Sequence, residues 1–186
     1  MSVTATNLLQ GPAELYAGAF GAAEPAESAV NDTPAASAWT DLGGTSGGAR
    51  LTVALTYSEL TVDQLVDSPG RRLTKRDVNV ATNLAEPTLE NLDRALNGGT
   101  AASGSGWKSW EPTNDSSATQ PNYFAALLHG WAPGTAERRM VVVRKALNVA
   151  NVEMAYQKDG QTLIPVDFAG HYVSNSVKSF KVIDGT

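Results

Sequence analysis

Only two histidines, His129 and His171, offer the side chain most often used for proton transfer near neutral pH. Neither belongs to a metal-ligand spacing such as His-Glu-x-x-His. His129 lies within an apolar segment, and His171 lies close to the end of another predicted strand. The sequence places no acid or nucleophile as an evident partner for either residue. We therefore interpret both as hydrogen-bonded structural histidines.

Two glycine-rich segments resemble phosphate or nucleophile sites in composition only. Gly43–Gly48 lacks the Gly-Lys-Ser/Thr ending and the strand–loop–helix setting of a phosphate-binding loop, so we expect a flexible loop. Gly104-Ser105-Gly106 is not the Gly-x-Ser-x-Gly turn that presents a catalytic serine. The chain has no cysteine, which excludes disulfides and thiolate metal sites. The sequence therefore predicts no enzyme activity, no cofactor and no metal.

Arg71, Arg72, Lys75 and Arg76 form the one basic cluster of the sequence. Such clusters often bind nucleic-acid phosphates, but here no aromatic residues alternate with the bases to stack on nucleotides. Residues 1–70 carry eight acids and one base, and the whole chain has a net charge of −5, which disfavours DNA binding across a broad face. We expect the cluster to pair with acids of a neighbouring subunit or to remain solvated.

Period-2 alternation predicts a mainly β chain. In Leu51–Ser58 the odd positions are large and apolar, which predicts a half-buried strand with those side chains turned into the core. The small or polar positions on its outer face are Thr52, Ala54, Thr56 and Ser58. Further strands are predicted over Glu14–Gly18, Val78–Leu84, Tyr123–Trp131, Met140–Val149, Val152–Tyr156, Ile164–Phe168 and Val177–Ile183. A frame change predicts a β-bulge near Ala150-Asn151, and Lys158–Gly160 predicts a tight hairpin turn.

Helical periodicity occurs in one segment, Pro87–Asn97. The apolar residues on its shared face are Leu89, Leu92 and Leu96. Pro87 suits the first turn, Glu90 can pair with Arg94, and Gly98 offers a left-handed end. We expect about three turns of helix lying on a sheet.

Glu24–Gly48 and Gly99–Thr119 lack periodicity and predict long loops. The large side chains available to anchor them are Trp39 and Leu42 in the first segment and Trp107 and Trp110 in the second. Because tryptophan often anchors interfaces, we expect the second pair to bury partly against another subunit.

Several phrases occur in an order that is similar to one protein family. An N-terminal strand, Glu14–Gly18, is followed by Trp39–Thr45, then by Leu84–Leu92, and then by Ala95–Gly98. On these phrases the chain resembles the major tail-tube proteins of siphophages over roughly residues 12–186.

The resemblance implies a single domain over residues 1–186, a β-sandwich with one flanking α-helix and long loops. Six copies would form a ring whose sheets join into a continuous inner β-barrel, and stacked rings would form the conduit for DNA ejection. The location implied is the virion tail, assembled in the host cytoplasm without a membrane or cofactor. The partners implied are further copies of the chain, a tape-measure protein, tail-end proteins and DNA in transient non-specific passage.

For individual residues the same arrangement makes two predictions. Residues expected at subunit interfaces are Trp107, Trp110, Arg71 and Arg72. Residues expected to face the lumen, within a net negative wall, are Thr52, Ala54, Thr56 and Ser58.

Three alternatives stay open at the level of sequence. A contractile-type inner tube shares the expected fold. A monomeric β-sandwich module would bind carbohydrate or protein through Trp107 and Trp110. An enzyme is the third alternative, and no motif in the sequence favours it. Rings or tubes in solution would support the tail-tube reading, and a persistent monomer would support the binding module.

Overall fold

The computed structural model describes residues 3–113, 116–134 and 136–186, and it is mainly β. Its strands are β1 (Glu14–Ala19), β2 (Trp39–Asp41), β3 (Thr45–Leu60), β4 (Gly70–Leu84), β5 (Gly99–Gly104), β6 (Trp107–Pro112), β7 (Phe124–Trp131), β8 (Arg138–Asn148), β9 (Ile164–Gly170) and β10 (Phe180–Asp184). The helical elements are α1 (Leu89–Ala95) and two 3₁₀ turns, Ala5–Asn7 and Glu27–Ala29. Within the described ranges no helix is long and apolar enough to span a bilayer. The prediction of a mainly β chain with one α-helix is confirmed.

One large antiparallel sheet contains most of the strands, in the order β2-β1-β7-β8-β9-β4-β3. Strand β8 also pairs with β10, so it has β7 on one side and both β9 and β10 on the other. The two end strands, β2 and β3, follow each other in the chain, and β1 approaches β3 across the fold. A separate two-stranded hairpin, β5–β6, lies beside α1.

The core occupies both faces of β1, β7 and β8. The larger cluster joins one face of these strands to side chains of β4 and β9, including an edge-to-face contact of Phe124 with Phe168 at 4.9 Å between ring centroids. The smaller cluster lies on the other face and includes Leu127 and Met140 beneath Trp39. Strand β7 is buried on both faces over most of its length, which explains why its sequence is a continuous apolar run.

The predicted frame change lies within β8 and not near Ala150-Asn151. Phe124 pairs with Ala146, whereas Ala126 pairs with Val143, so β8 has one more residue than β7 in this interval. The irregularity therefore includes Arg144 and Lys145, and it brings Val143 and Ala146 into the same core cluster.

Helix α1 is shorter than predicted. It begins at Leu89 after the N-cap Thr88, whose hydroxyl oxygen accepts a 3.1 Å hydrogen bond from the backbone N–H of Asn91. Pro87 therefore precedes the cap instead of occupying the first turn. The chain leaves the helix through Asn97, at φ 61°, and Gly98, at φ 103°.

The face of α1 that meets the core also differs from the leucine pattern. The buried helical residues are Asn91 and Ala95. Leu92 packs against the larger core cluster, Leu89 is partly buried, and Leu96 is 39% exposed. The helix is too short to place all three leucines on one buried stripe.

The structure corrects the loop predicted over Gly99–Thr119. Residues 99–112 form the hairpin β5–β6, while Asn114 and Asp115 lie outside the described residues. In the other predicted loop, Trp39 and Leu42 are buried anchors as expected, but β3 already begins inside the glycine run Gly43–Gly48.

Residues 152–156 form no strand, contrary to the alternation of their apolar side chains. Val152 and Met154 nevertheless pack against the larger core cluster, whereas Tyr156 is exposed. The turn predicted at Lys158–Gly160 is confirmed by a bridge that joins Gln157 to Gly160. The alternation of apolar residues in this segment therefore indicates that one of its sides is buried, and not that it forms a β-strand.

The two helix leucines provide a matched test of this packing. Leu92→Ala is expected to lower the free energy of unfolding by about 2 kcal/mol, because it removes a side chain packed on the core. Leu96→Ala is expected to change it by less than about 0.5 kcal/mol, because Leu96 is exposed. Chemical denaturation measures both values, and equal losses would contradict the orientation of α1.

Candidate interaction surfaces

A long β-ribbon extends from the sheet where β3 and β4 run on past their neighbours. Strand β9 pairs with β4 only over residues 78–84, so residues 70–77 of β4 pair with β3 alone. We call residues 52–60 and 70–77, with the connecting residues 61–69, the distal ribbon. Among the described residues no third strand pairs with it, and both of its edges carry free backbone groups.

The apolar face of the distal ribbon is exposed. Leu55, Tyr57 and Leu73 continue the side of the ribbon that is buried at Val78 and Val80, yet Tyr57 is 51% exposed. The prediction that the large side chains of Leu51–Ser58 turn into the core is therefore wrong beyond Leu51, which alone packs against the larger cluster. The alternation is present, but within one chain nothing in the described residues covers its apolar side.

The opposite, polar face contains the four residues predicted to face a lumen. Thr52, Ala54, Thr56 and Ser58 are all exposed and share this face, as the alternation predicted. Their cross-strand partners, in the same order, are Asn79, Asp77, Lys75 and Arg72. The face is thus mixed in charge and not the negative surface expected for a lumen wall.

The basic cluster lies on β4 within the distal ribbon and is divided between its faces. Arg72 and Lys75 belong to the polar face, while Arg71 and Arg76 belong to the apolar face opposite Glu59 and Leu55. An extra residue, Thr74, causes this division and donates its hydroxyl to the Thr56 carbonyl at 3.0 Å. Lys75 pairs with Asp77 at 2.8 Å, and the described residues hold no ion pair to the three arginines.

The far end of the ribbon carries an exposed aliphatic tip. Its large side chains are Leu60, Val62, Leu65 and Val66. The residues 61–66 bend through a turn in which the Leu65 N–H donates to the Val62 carbonyl at 3.0 Å. Four aliphatic side chains exposed together are more typical of a contact surface than of a solvated turn.

A groove lies near the start of β3 and the end of β4, away from the distal ribbon, between α1, the β2–β3 connection and the hairpin β5–β6. Its volume is about 910 Å³. Leu42, Leu89 and Trp110 contribute apolar surface to its walls. Its charged residues are the acids Asp41, Glu86, Glu90 and Asp93 and the bases Arg94 and Lys108. The groove therefore has a mixed lining, with some apolar surface and an excess of acidic residues.

Hydrogen bonds hold the walls of this groove in place. Lys108 donates to Glu90 at 2.8 Å, so Glu90 pairs across to β6 and not with Arg94 as predicted. The Trp110 indole N–H donates to Asp93 at 2.7 Å. Gly99 lies beneath the Trp110 ring, where any Cβ atom would overlap the indole.

The two tryptophans predicted to act together point away from each other. Trp107 and Trp110 are three residues apart on β6 and therefore lie on opposite faces of the hairpin. Trp107 is 55% exposed, whereas Trp110 is partly buried against α1. The structure thus gives them different surroundings, and they do not form one aromatic platform.

Asn91 is a central residue that reasoning from the sequence did not identify. Its buried amide donates to the carbonyl oxygens of Leu42 at 2.9 Å and Glu86 at 2.8 Å. These bonds join α1 to the residues that precede β3 and follow β4. There the Glu86 carboxylate also accepts a hydrogen bond from the Gly44 N–H at 3.0 Å. The available signal was that Asn91 is the one asparagine in the phrase Leu84–Leu92, on which the family resemblance is based.

The histidines have structural contacts. His129 is buried, and its Nε2 donates to the Val30 carbonyl at 2.9 Å, while its Nδ1 is 3.6 Å from the Glu14 carboxylate, beyond hydrogen-bonding distance. His171 packs edge-on against Tyr123, but its buried Nδ1 has no hydrogen-bond partner among the described residues, so the predicted hydrogen bond is absent from that nitrogen. In the described part of the chain no three His, Asp or Glu side chains are arranged to bind a metal ion.

Comparison with protein-family models finds no match to this chain, and neither does comparison with curated proteins.

The Glu90–Lys108 pair gives a pH test of the groove wall. The hydrogen bond from Lys108 lowers the pKa of Glu90 below its ordinary value of 4.5. A lowered pKa means that the pair stabilises the fold above the unfolded-state pKa and that this contribution is lost as pH falls through the folded-state value. An NMR titration of the Glu90 carboxyl should show the lowered pKa, and Lys108→Met should return it towards 4.5. A Glu90 pKa that Lys108→Met leaves unchanged would mean that Lys108 does not bond to Glu90 in solution.

Proposed function

We propose that this protein is a structural subunit of a phage tail tube, which self-assembles into stacked hexameric rings that form the conduit for DNA ejection. In this proposal the large sheet acts as a β-sandwich-like wall, and the distal ribbons of six copies complete a continuous inner β-barrel. The resemblance supplies the identity and symmetry of the assembly. The free edges and the exposed apolar face of the distal ribbon are the observations that support the proposed assembly.

The observation that carries the proposal is the pair of free edges on the distal ribbon. Residues 52–60 and 70–77 have backbone donors and acceptors that no third strand satisfies among the described residues. Free edges promote pairing with other chains, and a ring of paired edges removes them. Residues on the apolar face, such as Leu55 and Tyr57, would gain cover from neighbouring subunits at the same time.

The polar face of the ribbon suits a channel wall because of its small side chains. Thr52, Ala54, Thr56 and Ser58 would make a smooth surface with few groups that bind phosphate. Arg72 and Lys75 share that face, so acids would have to neutralise them for DNA to pass without binding. Lys75 already has Asp77 as its partner. The tape-measure and tail-end proteins would contact the same tube at its lumen and its ends.

The monomeric binding module is less well supported. It depended on Trp107 and Trp110 presenting one surface to carbohydrate or protein, whereas they lie on opposite faces of β6. The contractile-type inner tube remains an equally good fit to the ribbon, because it would use the same free edges.

Removal of the distal ribbon tests the proposal. Residues 55–76 can be replaced by Asn-Gly, a two-residue turn that suits the directly paired Ala54 and Asp77. The shortened protein should remain folded, with a melting temperature within about 4 °C of the parent, because the removed side chains are almost all exposed. It should form no rings or tubes by negative-stain microscopy and should sediment as a monomer.

A matched control replaces Lys158-Asp159 with Asn-Gly, which changes another exposed hairpin turn and should leave assembly intact. Normal tubes from the shortened protein would contradict the role given to the ribbon. A parent protein that stays monomeric at all concentrations would contradict the proposed function itself.

A further inference from the structure

The chain contains one asparagine that is followed by glycine, at Asn97-Gly98, where helix α1 ends. The backbone nitrogen of a following residue can attack an asparagine side chain, and glycine has no side chain to hinder that approach. Here the Gly98 nitrogen would bond to Cγ of Asn97 and lose its proton, while the bond from Cγ to the side-chain nitrogen breaks and ammonia leaves. Water then opens the resulting cyclic succinimide at either carbonyl, which gives aspartate or isoaspartate at this position.

The turn that ends α1 favours both members of this reactive pair. Asn97 has φ 61°, and asparagine is among the few non-glycine residues that adopt this left-handed conformation readily. Gly98 has φ 103°, and a Cβ atom there would lie 2.6 Å from the side-chain nitrogen of Asn122. Replacement of either residue by most others would strain the end of the helix. The fold therefore retains a pair that is also chemically labile.

Native hydrogen bonds engage both reacting groups. The Nδ2 of Asn97 donates to the Asn148 carbonyl at 2.9 Å, and its Oδ1 accepts from the Asn148 N–H at 2.7 Å. The Gly98 N–H donates to the Asp93 carbonyl at 2.9 Å. The attacked amide and the attacking nitrogen are thus held by different partners. Asn97 is only partly buried, so water can reach the imide once it has formed.

We infer that Asn97 is a site of deamidation through a succinimide, and that its paired bonds to Asn148 keep the reaction slow until the junction of α1 with β8 opens. Asn148 is buried, and its side chain bonds to the Ala95 carbonyl at 2.7 Å and to the Asp167 N–H at 2.8 Å. Helix ends open locally at a lower free energy than whole domains unfold, so opening of this junction sets the rate. The reaction does not depend on whether the chain assembles.

Deamidation would weaken the same junction. A carboxylate in place of the Asn97 amide can still accept from the Asn148 N–H, but it cannot donate to the Asn148 carbonyl. Asn97→Asp should therefore lower the melting temperature by about 3 °C. Asn175→Asp makes the same change at an exposed side chain whose oxygen accepts from the Tyr172 hydroxyl, and it should leave the melting temperature unchanged. Equal melting temperatures of the two variants would contradict the role of the Asn97 amide.

Peptide mapping tests the site itself. Cleavage after Arg94 and Lys108 releases a peptide in which Asn97 is the only amide side chain, so its conversion can be followed alone. The folded parent and the same chain unfolded in guanidinium chloride are incubated at one pH and temperature, and the peptide is then analysed by chromatography and mass spectrometry. The unfolded chain should convert at least about tenfold faster, to both aspartate and isoaspartate. Equal rates, no conversion of the unfolded chain, or aspartate without isoaspartate would overturn the inference.

Two alanine variants separate opening of the junction from unfolding of the whole domain. Asn148→Ala removes the side chain that holds the junction, and it should raise the rate at Asn97 in the folded protein about fivefold. Val142→Ala leaves a cavity in the smaller core cluster, on the other face of the sheet, and its rate should stay near that of the parent. Equal acceleration by both variants would mean that global unfolding controls the reaction, which would overturn the role of the junction. If Asn148→Ala does not fold, the comparison of the folded and unfolded parent still decides whether the fold protects Asn97.

Discussion

Backbone hydrogen bonding limits how the distal ribbon can exist in water. Next to the ribbon, residues 78–84 of β4 belong to the large sheet, because β9 pairs with them and Val78 and Val80 enter the core. Beyond that point two strands pair only with each other among the described residues, and an isolated two-stranded ribbon is marginally stable. Its free edges and its exposed apolar face both favour contact with further strands. Assembly with further copies of the chain would satisfy both the edges and the apolar face.

The rest of the fold holds the ribbon in a defined direction. Buried side chains on both faces of β1, β7 and β8 stabilise the centre of the sheet. Asn91 bonds the helix to the connection that leads into β3, and Glu86 bonds the end of β4 to Gly44. The residues that precede β3 and follow β4 thus share a small set of polar contacts with the groove wall.

The alternation of apolar and polar residues was sufficient to predict most of the strands. It could not show which residues cover the apolar faces of those strands. Leu55 and Tyr57 follow the pattern of a core strand, and sequence cannot distinguish a core within the chain from one shared with another copy. The hairpin β5–β6 was missed because its Gly, Ser and Ala residues have low strand propensity. The irregularity in β8 was missed because Val141, Val142 and Val143 make both faces of the strand apolar just before it, so no alternation marks the change of register. Asn91 was overlooked because polar residues in an amphipathic helix are usually exposed.

Hydrogen exchange of the ribbon amides tests the central claim most directly. In the isolated subunit, the outward-facing amides of residues 52–60 and 70–77 should exchange rapidly, because no third strand accepts from them in the described structure. After assembly the same amides should be protected to a level near that of β7, which is paired on both sides. Ribbon amides that exchange equally fast before and after assembly would contradict the claim that further copies complete the sheet.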